Sequence, residues 1–121
     1  MTHTAAALYS FFSGFGLPAY PEYIVPDDAQ LPYITYQLQE TDWRANTTIY
    51  ARVWYRSTSL TEISAKVDEI AAAVGEGLSI PTPNGCVMLT RGTPFMQYMP
   101  MEGDDTLRVM YLLFDLYTYT D

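Results

Sequence analysis

"TLRVMYLLFDLYTYT", residues 106–120, decides how the chain must be layered. The run is long, rich in aromatic and branched side chains, and apolar at odd and even positions alike. A strand with one wet face alternates apolar and polar residues; a run without that alternation needs cover on both sides. The pattern predicts a central strand. Its cover is either more of the same chain on both faces, or helix on one face and a neighbouring subunit on the other.

Upstream of this strand, "CVMLTRG" (86–92) and "PFMQYMP" (94–100) read as two short strands, and "SIPTPNG" (79–85) as a turn region. Before them, Leu60, Ile63, Val67, Ile70 and Val74 recur at three, four, three and four residues, the stripe of an amphipathic helix. Ser59 and Glu62 have capping-box spacing at its start, and Gly75 and Gly77 supply the stop. Residues 33–40 alternate, with Ile34, Tyr36 and Leu38 against Thr35, Gln37 and Gln39. Residues 48–56 alternate likewise, so the two runs predict an antiparallel hairpin around "TDWRANT" (41–47), with Trp43 at its tip. The segment "AYPEYIVPDDAQLP" (19–32), with three prolines, reads as a connection with at most a short extended piece. In the opening stretch, Ala5, Leu8, Phe12 and Phe15 share one helical face, ended by Gly14, Gly16 and Pro18.

The order is helix, strand, strand, helix, strand, strand, strand. Layer rules then predict an α+β class: an antiparallel sheet of about four to five strands with two helices packed on it. At 121 residues and 13.7 kDa the chain makes one domain. Eleven tyrosines against five phenylalanines favour half-buried surfaces, where an apolar ring can keep a polar tip wet.

Six basic residues face fourteen acidic ones, a net charge of -8, and the cations are not clustered. Tight or sequence-specific binding of nucleic acid needs cations to displace phosphate counterions, so that class is not expected. A surface that DNA slides past is better acidic. No apolar run approaches the ~20 residues of a membrane span, and "MTHTAAALYSFF" lacks the basic start of a signal peptide, which reads as a chain made in the cytosol.

Chemistry is hard to build from these residues. A nucleophile–base pair would rest on the single histidine, His3, in a terminal segment. Cys86 follows "PNG" at a strand start, with only Arg91 near in sequence to activate a thiolate, and reads as a structural cysteine. The acid pairs Asp27–Asp28, Asp68–Glu69 and Asp104–Asp105 lack the alternating ligand spacing of a calcium loop. "SGFG" and "GEG" follow helices instead of preceding them, so they do not cradle phosphate. No catalytic residue, cofactor or metal is expected, and the chain reads as not an enzyme.

The apolar excess at exposed-looking places is more informative. Trp43, Phe95, Met96, Tyr98, Met99 and Met101 are the candidate contacts to another subunit or partner. Glu102, Asp104 and Asp105, in "MPMEGDD" (99–105), are candidates for a channel lumen or rim.

Taken together, "LPYITYQL", "RVWYRSTSLTEISAKVDEIAAAV", "GTPFMQY" and "DDTLRVMYLLFDLYTY" resemble the small tail terminator proteins of long-tailed phages, also called tail completion or head–tail joining proteins. The matching positions are Pro32–Tyr33, Val53–Trp54–Tyr55, Ala65 to Val74, and Arg108 to Phe114. The resemblance covers nearly the whole chain and is one of layout. It implies a virion protein at the head–tail interface, assembled in the host cytoplasm into a six-membered ring. That ring would cap the tail tube, stop its polymerisation, meet the head connector and let DNA pass. The family brings no catalytic residues. Two other readings stay open: another small head–tail connector or neck protein, and a small dimeric module holding a ligand among its tyrosines.

Overall fold

The computed structural model describes residues 3–38, 46–99 and 103–119. Two helices and six strands follow in the order α1 (His3–Phe12), β1 (Ala19–Pro21), β2 (Tyr33–Tyr36), β3 (Asn46–Arg56), α2 (Thr61–Val74), β4 (Leu78–Thr82), β5 (Gly85–Met99) and β6 (Leu107–Tyr119). The strands make one sheet in the order β1-β2-β3-β6-β5-β4. The α+β class and the two helices agree with the sequence reading; the sheet is larger than expected and is mixed, because β1 runs parallel to β2.

The two-sided apolar run is central. β6 pairs antiparallel with β3 from Arg56↔Leu107 to Asn46↔Tyr117, and with β5 on its other side. Ile49, Ala51 and Val53 of β3 share a face with their partners Phe114, Leu112 and Met110, and this face packs under the helices. From α2 come Ile63, Val67, Ile70 and Val74, all buried, each worth roughly 1.5–3 kcal/mol when taken from water. α1 adds Leu8 and Phe12, and the 3-10 turn Ser13–Phe15 that continues it adds Phe15. Phe12 stacks on Tyr36 at 4.8 Å and meets Phe114 edge-on at 5.6 Å. The two helices are tied where Lys66 Nζ donates to Phe15 O at 2.6 Å.

The stretch 19–32 is a connection holding one short extended piece, as expected: β1, a three-residue strand at the sheet edge, where Pro21 is tolerated because no partner needs its missing N–H. Three sequence expectations need correction. The region read as a turn, 79–85, contains most of β4, also an edge strand; only Pro83 and Asn84 form the turn before β5. The two short strands around residue 93 are one strand, β5, whose register against β6 shifts between Arg91 and Met96. Gly92 sits in that irregularity because a Cβ there would lie 2.9 Å from Leu113 Cγ and 3.0 Å from Leu113 O. The Ser59–Glu62 capping box is replaced by a shorter bond: Ser59 Oγ accepts from Thr61 N–H at 3.1 Å, and Leu60, at the N-cap, is exposed. The C-terminal stop is as expected, with Gly75 at φ +56° donating its N–H to Ala71 O.

Candidate assembly surface

The pairing of β4 with β5 ends at Leu78↔Leu89. Beyond it, Met96 to Met99 of β5 pair with β6 alone among the described residues, so the outer side of this half-strand is a free sheet edge. Edge strands are usually blunted by charged side chains, because unpaired backbone groups and apolar side chains invite other chains. Here Gly92 to Met99 carry no charged side chain. Met96 is 45% and Tyr98 39% exposed.

These two candidate contact residues are thus displayed together on the free edge. Tyr98 is also held: its hydroxyl accepts from Arg108 Nη1 at 3.1 Å. The guanidinium is anchored in turn, with Nε donating to Ser57 O at 3.0 Å and Nη2 to Thr58 O at 3.3 Å. An aromatic fixed before contact loses little rotamer freedom on docking. Met99, paired with Val109, is half-buried. Phe95 is different, since its ring meets Phe114 edge-on at 5.4 Å and packs against the core. Trp43 and Met101 lie outside the described residues.

The acidic loop is not a uniform run of free carboxylates. Asp104 Oδ2 accepts from Arg56 Nη1 at 2.9 Å, and its Oδ1 accepts from Thr106 N–H at 3.0 Å and Thr106 Oγ1 at 2.8 Å. The hydrogen bond from Arg56, then those from Thr106, hold the carboxyl at a pKa of about 2. Asp104 therefore fastens the start of β6 to the end of β3. Asp105 is exposed, and Glu102 lies outside the described residues.

The sheet face away from the helices carries an aromatic strip with one cation in it. Tyr50 and Tyr111 stack with ring centroids 5.7 Å apart, and the Arg52 guanidinium lies 4.7 Å from the Tyr111 centroid and 5.5 Å from that of Tyr50. Trp54 Nε1 donates to Thr35 Oγ1 at 2.9 Å. A cleft of about 100 Å³ under Pro94 and Phe95 reaches Tyr50 and Tyr111. That is below the roughly 300 Å³ at which small-molecule sites begin.

A second exposed apolar pair was missed by sequence reasoning. Tyr23 is 80% and Ile24 67% exposed, in the turn directly after β1, closed by Ile24 N–H donating to Pro21 O at 2.9 Å. The available signal was two large apolar residues stranded between Pro21 and Pro26 with no helical or strand partner at either period.

The remaining candidates stay apart. His3 opens α1 and lines a cleft with Ile80 and Pro81, Cys86 is half-buried, and Asp68 and Glu69 are exposed on α2. Among the described residues no group of three or more His, Cys, Asp or Glu gathers as a metal site, and no helix is long and apolar enough to cross a membrane. Compared with known proteins, the sequence matches no family model and no curated protein.

Proposed function

We propose that the chain is a structural protein of a phage tail: a terminator that assembles into a six-membered ring on the end of the tail tube, stops tube growth and presents a face to the head connector. The observation that carries this reading is the free, uncharged half of β5, with Met96 and Tyr98 exposed on it. Such an edge in a chain of net charge -8 is poorly suited to a solitary life in water and well suited to a subunit contact. The acidic balance suits a conduit through which DNA moves without being held. The role is structural, not catalytic, and needs no cofactor. Glu102 and Asp105 are the rim candidates in this reading, while Asp104 serves the subunit's own fold.

Polymerising tail tubes provide the test. Added to tube protein during polymerisation, the purified chain is expected to halt elongation and to be found by labelling at tube ends. Tubes that keep growing to the same length distribution, with no label at their ends, would overturn the terminator assignment.

A further inference from the structure

Resting on the ring reading, we infer that neighbouring copies join edge to edge. The turn after β1 of one copy, with Tyr23 and Ile24, docks on the free half of β5 of the next, with Met96 and Tyr98.

Topology separates the two patches. β1 is one edge strand of the sheet, and the distal half of β5 is exposed at the opposite edge, where β4 no longer covers it. Four strand spacings lie between them, on the order of 20 Å at ~4.8 Å each. Two different patches on opposite edges meet by a head-to-tail operation, which closes into a ring when the rotation per copy divides a full turn.

The rims of the patches differ in charge, and this selects the partner. The β1 turn is flanked by Glu22 and by the exposed pair Asp27–Asp28. The β5 edge is flanked by Arg108, bonded to Tyr98, and by the exposed Arg91 at the start of the register shift. On the β5 side Arg91 shares a cleft with Glu76, and Asp104, already paired with Arg56, is followed by the exposed Asp105, so Arg108 is the cation held at the apolar edge itself. A second copy of this chain therefore offers the acidic rim of the β1 turn an apolar edge with a cation on it, whereas two copies of the β1 turn would set like charges face to face.

The test uses two variants of the full chain, Ile24→Asp and Met96→Asp, both at exposed positions where the fold should tolerate them; circular dichroism checks this. Each variant alone is expected to weaken self-association by roughly 30-fold or more, as for an interface anchor. Mixed in equal amounts, they retain one intact pair of patches and are expected to stop at a heterodimer with one copy of each. A parallel mixture of Ile24→Cys and Met96→Cys, each also carrying Cys86→Ser, is expected to give a disulfide between the two variants and little within either. If wild-type chain forms rings and either Asp variant still does so, the contact lies elsewhere and only this inference falls. If one Asp variant dimerises by itself, a patch is self-complementary and the head-to-tail arrangement is wrong. If the wild-type chain does not assemble and the cysteine pair gives no cross-link, the ring reading and this inference fall together.

Discussion

Arg56 and Asp104 are joined across 2.9 Å, linking the last residue of β3 to the turn that launches β6. Both side chains are partly exposed, so the ion pair is screened and its Coulombic part is small. Its value is geometric. The same carboxylate also bonds the backbone N–H and the hydroxyl of Thr106, so three donors position one turn.

The pH dependence of that tie has a definite sign. Asp104 is held at about 2 in the folded chain, below the roughly 3.9 of an unfolded aspartate. Its contribution is therefore present above about pH 4 and is lost as pH falls through about 2. Thermal melts of wild type and Asp104→Asn should show a gap that is constant from neutral pH to about 5 and closes in stronger acid. A gap that persists unchanged at pH 2 would show that charge is irrelevant to the tie.

Gly92→Ala tests the packing at the β5 irregularity. A Cβ there meets Leu113 at about van der Waals overlap, on the side chain and on the backbone. The Leu113 side chain can shift, but its carbonyl is fixed in the ladder, so a loss of about 1–3 kcal/mol is expected in denaturant unfolding.

Phe114 is the hub of the aromatic core, touched by the rings of Phe11, Phe12 and Phe95. Phe114→Ala should cost about 3–5 kcal/mol, read from the shift in chemical denaturation midpoint. Phe95→Ala should lower stability as well, and by less, since Phe95 is only partly buried. An effect of Phe95→Ala on assembly with no change in stability would return this residue to the contact surface.

How much of this was legible in the sequence depends on what each residue had to signal. The α2 stripe and the hairpin of β2 with β3 were readable because burial on one face writes its own period. β4 was not, because Pro81 argues against a strand everywhere except at an edge, and only the finished sheet defines its edges; β1 was legible only as a short extended piece among three prolines. Gly92 and Pro94 looked like a break in β5, whereas the backbone there deviates and then resumes pairing. Met96 and Tyr98 stood out as a large apolar run without charge. Phe95 carries the same signal and folds inward, a choice set by Phe114, nineteen residues away. Tyr23 and Ile24 gave no periodic signal at all.

If the acidic loop borders a DNA passage, Glu102 and Asp105 should matter there, and Asp104, tied to Arg56 and Thr106, should not. Glu102→Gln with Asp105→Asn is expected to slow DNA delivery from assembled particles while leaving ring formation intact. Asp104→Asn should act on stability instead. Unchanged delivery after neutralising Glu102, Asp104 and Asp105 together would remove the lumen assignment.

The most direct test of the account is the mass of the protein in solution, measured by light scattering over a range of concentrations and magnesium levels, with negative-stain images of the same fractions. The account predicts a species of about six copies with a central hole, growing in at the expense of monomer as concentration rises. A strict dimer at every condition would contradict it and favour a closed two-fold binding module.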